Sequence, residues 1–346
     1  RFVVGGFRRV YPAAGICMSE RLRIASFNLE NLDDKPGQQP DLAARIAVLR
    51  PQLERLRADV LCLQEVNGQT TGGHAPRRLS ALDSLLDGTP YQQFERVVSE
   101  GVHHGPMDVD NLVILSRFNV LETRQYRNDL VEAPRFRPIT AKPPIADPQP
   151  VAWDRPILYA RLDAGGGQAL DLFNVHYRAP LAAFIPGQKS HPFAWKTVSG
   201  WAEGYYLAAM KRSGQALETR LAMEDCFARD GEALICVAGD FNAGLDEMPL
   251  RIVVGAEDDT GSGDLAGHSL VPLELSLSAD RRYSVIHHGK RQMLDHVLAS
   301  RSLAGYFRGF EAHNEALGDE MAGYTNVAHS PSSYHAPVVA EFALPD

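Results

Sequence analysis

Five groups of polar residues stand where apolar runs stop: Asn28 with Glu30, Gln64 with Glu65, His176, Asp240 with Asn242, and Asp295 with His335. Glu65 and Asp240 offer hard carboxylate oxygens of the kind that hold Mg²⁺, which keeps several waters and takes one or two carboxylates beside substrate phosphate. Asn28 and Asn242 can donate or accept hydrogen bonds beside such a centre without adding charge. A histidine partnered by an aspartate gains basicity and a fixed tautomer, which suits proton transfer. Water attacking a phosphodiester needs this set: positive charge for the non-bridging oxygens, an oriented water, and amide or imidazole donors for the developing charge. Taken singly, each acid or amide reads as a turn or cap residue, and a strand-end histidine as a packed one. The signal is their repetition at the ends of apolar runs.

Strands must deliver these groups, and the clearest is Ala233-Leu234-Ile235-Cys236 running into Val237-Ala238-Gly239-Asp240-Phe241-Asn242. A short apolar run that breaks at Gly-Asp-x-Asn predicts a buried strand with a carboxylate and an amide at its carboxyl end. Residues 23–29 predict a first strand ending at Asn28, and 59–65 a second ending at Glu65. Between them, residues 41–57 space apolar side chains helically, with Asp41 as N-cap and Pro51 as a kink. Strand, helix, strand is an α/β signal, and open α/β sheets gather their sites at strand ends. Further along, 77–87 predicts a short helix, 91–98 a strand, 111–117 a strand with 119–127 as its hairpin partner, and 170–176 a strand ending in His176. Residues 199–229 form a long helical pattern. Tyr283–His288 and Gln292–Leu298 read as a strand pair around Gly289-Lys290, and Ala336–Phe342 as the last strand.

Composition excludes several classes. The chain has 346 residues, 45% hydrophobic and 23% charged, an ordinary globular balance with ample length for a large core. A net charge of −8 argues against coating nucleic acid through a broad basic face, yet permits an enzyme that clamps one phosphodiester. Cys62 and Cys236 sit inside apolar runs and read as reduced core thiols, which with no C-x-x-C pair points to a cytoplasmic protein. No apolar run approaches the ~18 residues of a membrane span. Residues 1–17 show neither helical nor strand period, and 1–20 are expected to be a disordered extension, leaving 21–346 as a single domain. Met18-Ser19-Glu20 looks like an ordinary start.

The loops are less informative. His103, His104, Asp108 and Asp110 crowd one loop, but tetrahedral zinc sites show tighter ligand pairs, so a rim loop is preferred. Residues 133–156 carry seven prolines with Arg135, Arg137 and Lys142, which excludes helix or central strand. A solvated surface loop is the plain reading, and a cationic substrate flap the sharper one. Residues 177–200 bring aromatics with Lys189, His191 and Lys196, and read as surface packing before pocket wall. Residues 255–282 are Gly- and Asp-rich and yield no element.

The series Ser26-Phe27-Asn28, Leu63-Gln64-Glu65, Val113-Ile114-Leu115-Ser116-Arg117, Asn174-Val175-His176, Gly239-Asp240-Phe241-Asn242, Leu294-Asp295-His296 and His335-Ala336-Pro337-Val338 resembles the endonuclease/exonuclease/phosphatase superfamily. It runs in the family's order over roughly residues 22–343. The resemblance implies a four-layer α/β sandwich, two mixed, largely antiparallel sheets packed face to face with helices outside. It implies Glu65 as the principal Mg²⁺ ligand with Asn28 beside it, Mn²⁺ being an alternative. Asp240 would position or deprotonate the attacking water, Asn242 and His176 would contact the scissile phosphate with Asn111 also on the substrate, and Asp295 would orient His335. The family's Ser-Asp-His is here Ser333-Tyr334-His335, so a carboxylate near the metal is lost, and a one-metal enzyme or altered metal preference is expected. Tyr334 could instead give its hydroxyl to the phosphate. The expected partner is a phosphodiester, with nucleic acid placed ahead of a lipid or small-molecule diester. A phosphomonoesterase, or a catalytically weakened binding protein of the same fold, are the alternatives. Oligomeric state has no signature in the sequence.

Overall fold

The structure is a computed structural model that describes residues 20–70, 72, 76–101, 104–192, 194–321 and 330–345. The expected extension over 1–20 lies outside these, apart from Glu20, as do Cys17 and His103. Two six-stranded sheets form the centre. The first orders β11 (Phe307–Ala312), β12 (Val338–Leu344), β1 (Glu20–Leu32), β2 (Val60–Val66), β4 (Asn111–Ser116) and β3 (Glu95–Val98). The second orders β9 (Leu270–Pro272), β10 (Asp295–Ser300), β8 (Leu234–Asp240), β7 (Gln168–His176), β6 (Ile157–Gly165) and β5 (Val120–Tyr126). Within each sheet one neighbouring pair is parallel, β1 with β2 and β7 with β8, and the rest antiparallel. The two parallel pairs turn their carboxyl ends to the same edge of the molecule, where the site forms.

Burial on both faces explains the strand sequences. Every residue of β8 and all but Glu65 of β2 are buried, so their side chains alternate between two apolar layers and the sequence reads as one apolar run. One layer, including Ile24, Cys62, Leu172 and Cys236, fills the space between the sheets. A second packs the first sheet against α1 (Leu42–Leu56) and α2 (Ser80–Leu86). A third packs the second sheet against α3 (Val198–Arg229) and α4 (Met248–Val254). Helix, sheet, sheet, helix is the expected four-layer sandwich. Asp41 caps α1 by accepting from Ala44 N at 2.8 Å, and the helix continues through Pro51. No helix among the described residues is long and apolar enough to cross a membrane.

Three local expectations change. Residues 120–126 are not the hairpin partner of β4: they cross to the second sheet and pair with β6, while β4 lies between β2 and β3. The strand expected over 91–98 begins with a 3₁₀ turn, Pro90–Gln93. The hairpin near Gly289 is confined to Val285–His287 and Lys290–Gln292, and β10 starts afresh at Asp295. The unassigned 255–282 stretch contains three short helical turns and the edge strand β9.

The proline-rich excursion is anchored. Glu218, fully buried on α3, accepts hydrogen bonds from Asn128 N (3.0 Å), Asp129 N (2.6 Å), Leu130 N (2.9 Å) and Trp153 Nε1 (2.6 Å). Glu203, one turn into the same helix, accepts from Ile139 N and Thr140 N. Gly214 leaves room for the Trp153 ring, which a Cβ would strike. A small apolar cluster of Ala141, Val151, Ile185 and Leu207 closes the lobe against α3.

Candidate active site

Register places the chemistry before any loop is considered. In the second sheet His176, Asp240 and Asp295 are mutual cross-strand partners, a row across β7, β8 and β10. In the first sheet Asn28 pairs with Gln64, which sets Glu65 just beyond the end of that row. Gly239 is required here, because a Cβ would collide with the Val175 carbonyl on β7, and its φ of +150° is one L side chains rarely adopt. Non-glycine residues with positive φ crowd this edge: Glu30 (50°), Asn31 (53°), Glu65 (57°), Asp110 (61°) and Asn242 (49°). Such strain persists where surrounding contacts over-determine it, and functional sites are where it gathers. Arg45 of α1 supplies part of that support, donating to the carbonyls of Leu29 (2.6 Å) and Glu30 (2.7 Å).

The side chains meet across the two sheets. Asn28 Nδ2 donates to Glu65 Oε1 at 3.0 Å and to Asp240 Oδ2 at 3.1 Å, so one amide links the sheets. His176 Nε2 stands 3.4 Å from Asp240 Oδ2 and 3.7 Å from Glu65 Oε1. His335 comes from the loop before β12; its Nδ1 is 2.8 Å from Asp295 Oδ2 and its Nε2 4.0 Å from Asp240 Oδ2. Ser333 fixes that loop by donating its hydroxyl to Asn28 O (2.8 Å) and accepting from His335 N (3.0 Å). Below this, Gln64 Nε2 donates to Asn174 Oδ1 at 2.8 Å, and Asn174 Nδ2 donates to the carbonyls of Leu63 and Val113. Gln64 is therefore a strut between the sheets, with its amide turned away from the cluster.

Burial and neighbouring charge assign protonation. Burial pushes the Asp240 carboxyl well above the ordinary carboxylate range, against the pull of the His335 charge. Burial also acts on His335, but the carboxylates of Asp295 and Asp240 overcome it and hold the imidazole protonated well above its ordinary range. His176 is driven the other way by burial, reinforced by Arg155, His335 and Arg178, and is a neutral imidazole. Two histidines in one site thus carry different charge states.

Two expected substrate contacts are engaged elsewhere. Asn242 Nδ2 donates to Asp240 Oδ2 and to Tyr177 O, both at 3.1 Å, so its two N–H groups orient the carboxylate. Asn111 is fully buried and committed to backbone, accepting from Met107 N and donating to Val66 O and Met107 O. Tyr334 is largely buried, its ring edge against Gly318, and its N–H donates to Glu30 Oε2 at 2.8 Å. Glu30, beside Glu65 and His335, is raised above its ordinary range by burial.

Sequence reasoning set Asp110 aside with its loop as a rim residue and left out Arg155. Asp110 sits at the amino end of β4 and joins Glu65 and His176 in a set whose ligand atoms lie within 4.8 Å of one another. Asp240, Asp295 and His335 form a second such set among the described residues. Arg155 Nη2 lies 3.2 Å from Asp110 Oδ2, and its Nη1 donates to Tyr177 O at 3.4 Å. The adjacency of Asp110 to a strand start could have flagged it; Arg155, inside the proline-rich excursion, carried no signal. The donor set fits a hard divalent cation. Each Glu65 oxygen accepts one hydrogen bond and keeps acceptor capacity, and Asp110 adds a second carboxylate.

A model described as the Endonuclease/Exonuclease/phosphatase family matches residues 25–315. Among curated proteins no relative matches the chain. Among solved structures, truncated TDP2 from Caenorhabditis elegans is 15% identical with a TM-score of 0.55, covering 93% of this chain and 98% of that one. A variant of the 3′ phosphatase NExo from Neisseria, bound to product DNA hairpin, is 15% identical with a TM-score of 0.51 over 93% and 99%. A family protein from Bacteroides thetaiotaomicron is 14% identical with a TM-score of 0.53 over 94% and 95%. At these identities the likeness is one of fold.

Proposed function

Starting from a chain that belongs to the endonuclease/exonuclease/phosphatase family, we propose that its strand-end cluster hydrolyses a phosphodiester with a divalent cation, Mg²⁺ or Mn²⁺. The observation that carries this reading is the single cluster in which Asn28 joins Glu65 and Asp240 by hydrogen bonds, with His176 Nε2 3.4 Å from Asp240 and the Asp295–His335 pair beside it. Glu65, with Asn28 and Asp110 beside it, would hold the cation, which supplies positive charge to the phosphate oxygens. Asp240, its basicity raised by burial and its orientation fixed by Asn28 and Asn242, takes a proton from the attacking water. Asp295 fixes the His335 ring through Nδ1, and the protonated Nε2 gives its proton to the departing oxygen. Neutral His176 faces the same space and donates a hydrogen bond to the phosphate.

The test is hydrolysis of a generic aryl phosphodiester, with plasmid DNA in parallel, under EDTA, Mg²⁺ or Mn²⁺. Metal-dependent turnover that falls by ~10²–10⁴ in His335→Ala, the range for general acid–base groups, and is lost in Glu65→Ala, is expected. A folded protein with no turnover under any metal would overturn the reading and leave Tyr334 as the mark of a binding protein.

A further inference from the structure

The two excursions whose sequences yielded least meet beside the cluster. Residues 133–156 and 177–200 fold against the amino-terminal half of α3 and enclose a cleft of about 380 Å³. Phe136, Ile145, Val151, Phe184 and Leu207 give it apolar walls. A volume of this size is in the range that takes a small ligand or one substituent of a larger one. Asp154, Arg178 and Lys211 line the same cleft.

Those charged residues tie the cleft to the catalytic edge. Arg178 follows His176 by two positions along the chain leaving β7, and its charge is felt at the His176 imidazole. Asp154 precedes Arg155, which touches both Tyr177 O and Asp110. Lys211 Nζ is 2.5 Å from Asp154 Oδ1, and Arg178 Nε stands 3.6 Å from Asp154 Oδ2 in a looser ion pair, neither of those two buried atoms making a hydrogen bond. The Arg178 side chain is still a quarter exposed, so its guanidinium charge lies at the mouth of the cleft. A phosphate oxygen is a fitting partner for a guanidinium placed there.

Exposed apolar side chains gather on the same lobe. Among the described residues, Ile139, Leu181, Phe184, Val198, Trp201, Tyr205 and Tyr206 are half of the exposed large apolar side chains. Phe184 lines the cleft itself, and Tyr206 lies 5.6 Å from the Phe136 ring of its wall. We infer that this cleft receives an apolar ester substituent, alkyl or aryl, of the phosphodiester, with the Arg178 guanidinium beside the phosphate at its mouth. The inference rests on the phosphodiesterase reading for the identity of the phosphate and narrows its substrate class. Gln149 is the one uncharged polar side chain on the cleft, and Asp154 and Lys211 are paired with each other, so a sugar edge bearing several hydroxyls finds few partners there.

The experiment titrates the full chain in Mg²⁺ with methylphosphinates, which have no P–O ester bond to break, whose second carbon substituent is methyl, hexyl, naphthyl or 5′-deoxythymidin-5′-yl. Hexyl or naphthyl should bind at least about ten-fold tighter than methyl, a fraction of what burying such a group can give. The two arms separate alkyl from aryl recognition. Ala152→Phe adds bulk from an exposed position on the cleft and should cancel the gain while leaving the methyl compound within two-fold. Phe184→Ser, at another exposed position, removes a wall and should reduce the gain several-fold. Equal binding across the series, preference for the thymidinyl compound, or a gain unmoved by both variants would overturn the cleft assignment. Hydrolysis of methyl p-nitrophenyl phosphate is measured alongside. Its failure would overturn the phosphodiesterase reading while the binding series still decides the cleft.

Discussion

His176 and His335 share one site, yet the first is neutral and the second protonated, because only His335 has a carboxylate in contact with Nδ1. Asp295→Asn removes that charge, so the imidazole deprotonates at lower pH. The group is active in its protonated form, so the alkaline limb of the pH–rate profile should move to lower pH, with a loss in kcat. An unmoved limb would assign it to another group. At this scale the sequence shows residue types and their run-end positions, and those are enough for Asn28, Glu65, His176, Asp240, Asp295 and His335. It cannot show which hydrogen bonds an amide makes. Asn111 and Asn242 are expected on the substrate; their neighbours are instead backbone carbonyls and Asp240, set by loop geometry that no spacing rule contains.

Among elements, β8 is the best specified, since an all-apolar run must be buried on both faces and Gly239 lets it approach β7 closely. Gly239→Ala combines a collision with Val175 O and an unfavourable φ, and should cost roughly 3 kcal/mol or more by chemical denaturation. A smaller loss with full activity would mean that the strands separate locally at little cost. The strand at 120–126 departs from its expected place for an equally physical reason. It follows β4 after a short turn, which favours a hairpin, but both edges of β4 are occupied by β2 and β3. The chain crosses to the free edge of β6 instead. The proline-rich lobe is illegible in sequence because its anchors, Glu218 and Glu203, lie some sixty or more residues further along on α3.

For the molecule as a whole, Gln64 and Asn174 form a buried polar bridge between the two sheets, beneath the Asn28–Asp240 link and within a largely apolar interface. Asn174→Ala leaves Gln64 Nε2 and the Leu63 and Val113 carbonyls short of a partner, so a loss of about 2–3 kcal/mol is expected in denaturant unfolding. Turnover should fall further than stability alone requires, because Glu65 and Asp240 belong to different sheets. On the first sheet Arg23 of β1 reaches Glu341 of β12 at 2.6 Å and Glu311 of β11 at 3.0 Å. Burial raises the Glu311 pKa, but its hydrogen bond and charge contact with Arg23 prevail and lower it from 4.5 to about 2. A depressed carboxylate contributes stability above its unfolded pKa and loses it as pH falls through the folded one. Stability should therefore decline between about pH 4.5 and 2, and Glu311→Gln should flatten that slope in acid titrations followed by circular dichroism.

The pairing of β1 with β12 joins Glu20 to Leu344 and Ser26 to Val338, so the first and last strands are neighbours from end to end. Asn28 and His335 are separated by almost the whole chain and brought together by that one ladder. On a ribosome emitting roughly 5–20 residues per second, β1 would wait many seconds with one edge bare, and the site could not assemble before the final strand was released. Under the proposed function, competence is then a late event in the life of each molecule, and an interrupted chain holds Glu65, Asp240 and Asp295 without the His335 that completes the cluster.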